Sequence, residues 1–251
     1  MQAGDPPTTV LKGAPNFRDL GGLPVGDGRR VRHGLIYRSE SFITLTEDDV
    51  NRLVAVDLRV VCDLRSAAER ARHGGELPGP ELLPLVDSTG SDPEQDGLRS
   101  IDDPSSVIRY NTASYREYPR SLAPTMRQLF GRIIDGRVPV VISCNAGKDR
   151  TGVVCAILEL ALGADRDTVV ADYLRSNDFY GAPRIGPILR QRGGRDPHPD
   201  AITAFCCQRE YLEEAFQTIE ERGGLDRYLD HDVDLTVDKR ERLRGILTES
   251  V

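Results

Sequence analysis

Tryptophan is absent from the 251 residues, and no apolar run approaches the roughly 20 residues needed to cross a bilayer. Stable membrane insertion is therefore not expected. The start, Met1-Gln-Ala-Gly-Asp-Pro-Pro-Thr-Thr9, lacks the charged and apolar regions of a secretory signal. The expected location is the cytoplasm, or outside the cell by a route that needs no such signal. Cysteine is sparse and odd in number, at Cys62, Cys144, Cys155, Cys206 and Cys207, which reads as reduced thiols rather than a disulfide framework. No C-x2-C pair or regular His/Cys cluster points to zinc, and the four scattered histidines read as surface or loop residues. An excess of positive charge is also lacking. A formal net charge of −7 argues against a general binder of nucleic acid or membrane surfaces. What remains, 39% hydrophobic and 29% charged residues, suits an ordinary globular protein of one large domain or two small ones.

Against this background one segment stands out. The apolar run Val138-Pro-Val-Val-Ile-Ser143 leads into Cys144-Asn-Ala-Gly-Lys-Asp-Arg150-Thr-Gly152, and a helical pattern, Val153 to Leu162, follows at once. The order is strand, tight loop, helix, with a cysteine where the loop starts and an arginine six positions on. The first amides of a helix lack intrahelical partners and lie at the positive end of its dipole, so they bind anions. Amides curving round a short loop form a concave nest of the same preference. Gly147 leaves room for an oxyanion to approach closely, and Arg150 can grip two phosphate oxygens with its planar fork. The same field favours a thiolate at Cys144, since helix N-termini and Arg neighbours bring a thiol from about 8.5 to roughly 3.5–7.5. Nucleophile and phosphate cradle therefore come together. The loop is not a nucleotide-binding P-loop, because that motif requires Lys followed by Ser or Thr, and Lys148 precedes Asp149.

Cys144-Asn-Ala-Gly-Lys-Asp-Arg-Thr-Gly152 resembles the signature of cysteine-dependent phosphatases, and its A-G-K-D-R-T-G version resembles one bacterial group of tyrosine phosphatases. Known members of that group act on phosphotyrosine and, in some cases, on phosphoserine, phosphothreonine and phosphoinositides. Asn16-Phe-Arg-Asp-Leu-Gly-Gly22, Tyr37-Arg-Ser39, Cys62-Asp-Leu-Arg-Ser66 and Ala171-Asp-Tyr-Leu-Arg-Ser-Asn-Asp178 are similar to other recurring segments of the group. One departure is Ser143, where the family usually has His; a hydroxyl there can donate to a carbonyl or to the thiolate but brings no positive charge. The resemblance implies a cysteinyl-phosphate on Cys144, with Arg150 and the loop residues Asn145, Ala146, Gly147, Lys148 and Thr151 holding the phosphoryl group. It implies no metal and no cofactor, and a phosphorylated protein or a phosphoinositide as the partner. It leaves the oligomeric state open.

Three aspartates compete to protonate the leaving group. Asp149 lies within the loop and is the first choice by resemblance; Asp87 follows a strand, where many cysteine phosphatases carry the acid; Asp63 sits beside Arg65, as a structural ion pair would. Lys148 adds charge where an inositol ring bearing several phosphates would lie, or else only strengthens the loop's field. Arg18, Asp19 and Arg38 fall in family-like segments, with site support and structural ion pairing both open. Cys62 reads as buried packing, with a disulfide to Cys144 under oxidation as the alternative. Two other classes remain to be weighed. One is a phosphatase-like module that binds phosphotyrosine without turnover, which would need no nucleophile; the other is a rhodanese-type sulfurtransferase, whose loop is generally shorter.

Along the chain, residues 1–13 read as a flexible tail and 14–251 as a single phosphatase domain. Strands are expected at 31–37, 58–63, 82–86 and 138–143, the proline of the third suggesting a sheet edge. Capping boxes begin helices at Thr46 and Ser66, and Gly74-Gly75 ends the second. Residues 87–105 read as a long loop, and helices follow at 106–117 and 121–135. The C-terminal third reads as almost entirely helical, with one long helix from about 200 to 221. The fold class is α/β, a central and mainly parallel sheet flanked by helices. Ligands in such sheets bind beyond the carboxyl ends of the strands, where Cys144 falls. Residues 177–210 form an ordinary helical layer on composition alone; the resemblance implies a helical lid there.

Overall fold

The computed structural model describes residues 10–86, 103–194 and 196–251. Five strands form the main sheet: β1 (Arg18–Asp19), β4 (Ile36–Ser39), β5 (Val60–Asp63), β6 (Glu81–Pro84) and β7 (Val140–Ser143). They lie in the order β1-β4-β7-β5-β6, parallel throughout except for β1, which runs against β4. β7 is central and buried at every position, with Val140, Val141 and Ile142 supplying the continuous apolar run expected of a strand covered on both faces. Pro84, which cannot donate to a ladder, lies in the edge strand β6.

The period-two alternation of the strands divides the core. Val60, Cys62, Val140 and Ile142 face one hydrophobic cluster, whereas Val61 and Val141 face another that includes Leu11, Phe17, Phe42 and Leu53. α1 (Glu47–Val56) packs Leu53 into that second cluster, while α4 (Ala123–Ile134) and α5 (Asp149–Leu162) supply the first. Both sequence-read capping boxes are present. Thr46 and Asp49 exchange side-chain and backbone bonds at the start of α1, and Ser66 and Glu69 do so at the start of α2 (Ala67–His73), which Gly74 ends. α3 (Pro104–Ser121) crosses beside α5, and α6 (Arg166–Leu174) and α7 (Ser176–Tyr180) follow it in the chain. No helix among the described residues is long and apolar enough to cross a membrane.

Four expectations change. The packed chain begins before residue 14: Leu11 is buried, and the amides of Lys12 and Gly13 donate to Asp49 at 2.8 and 2.9 Å. The helix expected over 200–221 is two, α9 (Pro199–Phe205) and α10 (Arg209–Glu221), because Cys206 and Gln208 are extended. The peptide of Cys207 between them bonds the Asn177 side chain in both directions, its amide donating at 2.8 Å and its carbonyl accepting at 2.9 Å. The C-terminal third also contains a strand. β8 (Thr248–Ser250) pairs with β3 (Arg29–Val31), which pairs with β2 (Pro24–Val25), in a second antiparallel sheet. Finally, the loop expected over 87–105 gives way to α3 at Pro104, and its residues 87–102 lie outside the described residues.

Candidate active site

Cys144 follows directly on β7, and α5 begins five residues later with Asp149 as its first residue and Arg150 next. The loop between them is fixed from behind by its own carbonyls. That of Asn145 accepts from the Ser41 amide at 3.1 Å, that of Ala146 from Asn16 Nδ2 at 2.9 Å, and that of Gly147 from Arg38 Nη2 at 3.0 Å. The amides of Ala146, Gly147, Lys148 and Asp149 donate to nothing among the described residues. With carbonyls held on one side, successive amides are left to converge on the other, which is the geometry of an anion nest. Gly147 has φ +66°, and a Cβ there would come within 2.3 Å of the Ser39 carbonyl oxygen, so the loop's approach to β4 requires glycine.

The residues behind the loop explain the family-like segments. Arg38 is fully buried and donates to Asp172 Oδ2 at 2.7 Å as well as to the loop. Arg18 donates to the Asp172 carbonyl at 3.0 Å and, through a second nitrogen, to the Asn16 side chain. Asp172 thus joins two arginines, both of which steady the loop directly or through Asn16. Burial works against its charge, but the arginines outweigh it and hold the carboxyl below its ordinary value. Asp19 instead ties down the β-turn region, accepting from the amides of Gly21 and Gly34, each at 2.8 Å.

Arg150 is anchored by a residue that sequence reasoning assigned only to a helix cap. Its Nη1 and Nη2 donate to Glu69 Oε2 and Oε1 at 2.6 and 2.8 Å, and Nη1 also reaches the Leu64 carbonyl at 2.8 Å. Glu69 is wholly buried and accepts in addition from Asn145 Nδ2 at 2.9 Å and from the Ser66 amide at 2.7 Å. Burial would raise its pKa; the Arg150 guanidinium more than offsets that and holds the carboxyl below its ordinary value. One carboxylate therefore caps α2 and orients the guanidinium of the loop.

Asp149 Oδ1 accepts from the Tyr115 hydroxyl at 2.9 Å and from Lys148 Nζ at 3.0 Å. Lys148 Nζ also donates to the Phe205 carbonyl at 2.6 Å, made reachable by the end of α9, and the side chain is buried. Tyr115 in turn meets the Tyr173 hydroxyl at 2.6 Å. Tyr118, one turn on from Tyr115 in α3 with ring centroids 5.3 Å apart, has its pKa pushed well up by burial and also feels Asp149, Arg150 and Cys144. The Thr151 hydroxyl, at the first turn of α5, is buried without a hydrogen-bond partner among the described residues.

Other sequence candidates fall elsewhere. Both carboxylate oxygens of Asp63 accept from Arg65, the closest contact being 2.7 Å, so it forms the structural ion pair that its position suggested. Asp87 lies outside the described residues. Alternation along β7 sends Ser143 away from the cluster that Cys144 joins, which separates its hydroxyl from the thiol. Cys62 pairs with Ile142, two positions short of Cys144. Strand spacings of ~3.3 Å per residue and ~4.8 Å between chains place the two cysteine Cα atoms about 8 Å apart, beyond the ~7 Å limit for a disulfide without backbone movement. Burial also pushes the Cys62 thiol far up, away from the reactive thiolate.

A sequence profile described as "Tyrosine phosphatase family" matches residues 9–249. The Triple specificity protein phosphatase PtpB of Mycobacterium tuberculosis is 32% identical, over 94% of this chain and 98% of its own. A Cupriavidus necator protein, H16_A0669, is 31% identical over 92% of this chain and 84% of its own. A crystal structure of TpbA from P. aeruginosa overlaps with 67% of this chain and 91% of that one, at 17% identity and a TM-score of 0.34, too distant a likeness to bear on function.

Proposed function

The chain belongs to the tyrosine phosphatase family, and on that premise we propose that Cys144 is its nucleophile, Arg150 its phosphate clamp and Asp149 its general acid. It is a protein-tyrosine phosphatase, and its substrates are phosphorylated. In the first step Cys144 Sγ attacks phosphorus in line. The P–O bond to the leaving group breaks as the S–P bond forms, and Asp149 gives its proton to the departing oxygen. In the second step Asp149 takes a proton from water, water oxygen bonds to phosphorus, and the thiolate leaves. The loop amides and Arg150 face the equatorial oxygens throughout, so fixed dipoles meet the charge without reorganising. The Thr151 hydroxyl is a buried donor within the same turn, placed to serve the sulfur or an oxygen.

The observation that carries this reading is the pinning of three successive loop carbonyls by Ser41, Asn16 and Arg38, which turns the loop amides toward the side where an anion would sit. The assignment of Asp149 rests on its place at the first turn of α5, hydrogen-bonded through one carboxylate oxygen, while Asp63 is fully engaged by Arg65. Binding without turnover would need neither a thiol nor an acid on this loop. A sulfurtransferase would have no use for an arginine held rigidly by Glu69 beside the thiol.

Phosphotyrosine is the substrate class proposed first. Phosphoserine and phosphothreonine follow, a breadth consistent with the words "triple specificity" in the name of the mycobacterial relative. Lys148 does not favour phosphoinositides, because its ammonium is buried between Asp149 and the Phe205 carbonyl. The deciding assay is vanadate-sensitive phosphate release from a phosphotyrosine peptide, expected for the wild type and absent in Cys144→Ser. Turnover retained by Cys144→Ser would refute the mechanism.

A further inference from the structure

We propose that Tyr115 is a positioning residue for Asp149, its hydroxyl oriented by Tyr173 and fixing Oδ1, so that Oδ2 is the oxygen that carries the transferred proton. This rests on the reading of Asp149 as general acid. Both donors that reach the Asp149 carboxyl, the Tyr115 hydroxyl at 2.9 Å and Lys148 Nζ at 3.0 Å, converge on Oδ1. An oxygen that already accepts two hydrogen bonds is a poor place for a proton, and Oδ2 accepts none among the described residues.

The polarity of the hydroxyl chain follows from proton counting. A tyrosine hydroxyl has one proton. Tyr115 donates its own to Asp149, so the 2.6 Å contact with Tyr173 requires Tyr173 to donate to Tyr115. Burial keeps both phenols protonated by pushing their pKa values well up. The chain then runs from Tyr173 through Tyr115 to Asp149. As Oδ2–H passes its proton to the leaving oxygen, negative charge grows on the carboxyl, and hydrogen bonds into Oδ1 strengthen with it. Tyr115 thereby assists a step in which it touches neither substrate nor phosphorus. Its ring, wholly buried among Tyr118, Tyr173 and Tyr211, holds the hydroxyl in place.

The test compares phenyl phosphate, a poor leaving group, with 4-nitrophenyl phosphate, a good one, in wild type, Tyr115→Phe, Tyr173→Phe, Asp149→Asn and the Asp149→Asn/Tyr115→Phe double variant. Pre-steady-state burst amplitudes count the folded active sites. Tyr115→Phe should lower kcat/KM on phenyl phosphate, which reports the first step alone, about tenfold, as expected for one charge-assisted hydrogen bond, and should alter kcat/KM on the nitrophenyl ester less than twofold. Tyr173→Phe should give the same pattern at smaller size, and it carries the test alone should Tyr115→Phe fail to fold. The double variant should be no slower than Asp149→Asn on phenyl phosphate, since Tyr115 acts through Asp149. Equal slowing of both substrates, or a further tenfold loss in the double variant, would overturn the proposal while leaving Asp149 as the acid. If Asp149→Asn itself shows no dependence on the leaving group, the acid assignment falls, and the positioning role with it.

Discussion

Glu69 is a buried carboxylate with every acceptor direction in use: two bonds to Arg150, one to Asn145 and one to the Ser66 amide. Replacing it by Gln keeps the shape but turns an NH2 group toward the guanidinium and removes the charge that compensates it. Breaking a buried pair by removing one partner costs on the order of 3 kcal/mol or more. Glu69→Gln should therefore lower kcat/KM on a phosphotyrosine peptide by about 10- to 100-fold, the equivalent of ~1.4–2.8 kcal/mol in transition-state binding, and should lower the urea midpoint as well. Steady-state kinetics within twofold of wild type would show that Arg150 needs no orienting partner. At this scale the sequence exposed Cys144, Arg150 and Asp149, because their order and spacing lie in one loop. It concealed the second role of Glu69, because the capping box Ser66-Ala-Ala-Glu69 already accounted for that residue. It concealed Tyr115 too, since nothing local marks a tyrosine whose partner lies 34 positions away on another helix.

Elements were legible where their signals are local. α1 and α2 begin at their capping boxes, the edge strand holds a proline, and the central strand is a continuous apolar run. They were illegible where a distant group decides. The peptide of Cys207 bonds Asn177 instead of continuing a helix, and β8 is a polar Thr-Glu-Ser strand fastened by Arg29 to Thr248 and by Arg30 to Glu249. α1 gives a test of element stability. Burial disfavours the Asp49 carboxylate, but the amides of Thr46, Gly13 and Lys12 and the Thr46 side chain outweigh it and hold the pKa at about 2, against 3.8 when exposed. A depressed carboxyl contributes stability above its unfolded pKa and loses it as pH falls through the folded one. The difference corresponds to ~2 kcal/mol. Asp49→Asn should thus be less stable than wild type by about that amount at pH 7, with the gap closing between pH 4 and pH 2. A gap in urea-unfolding free energy that stays constant over that range would rule out the linkage.

Across the whole molecule, the helical C-terminal part is fastened to the phosphate loop at separate points. α8 (Ala182–Gly193) is held through Arg184, which donates to Glu40 at 2.5 and 3.1 Å and lies over the Tyr180 ring at 4.1 Å. Glu40 follows β4 directly and also accepts from the Asn16 amide, so this contact reaches the same scaffold that pins the loop. The second fastening is Lys148, between Asp149 and the end of α9. A lysine free in solvent could greet a second phosphate on an inositol ring, whereas one with its ammonium engaged on two sides serves the loop whatever the substrate. Burial works against the ammonium's charge, but neighbouring Asp149 outweighs it and the pKa is raised. Lys148→Ala should therefore lower turnover of a phosphotyrosine peptide and of a soluble phosphoinositide by one common factor, about tenfold for the loss of a charge-assisted bond. A selective loss on the phosphoinositide would mean that the ammonium leaves Phe205 to meet the substrate. The helices over 182–205 would then have to move during turnover, because Lys148 cannot reach outward while it still holds the end of α9.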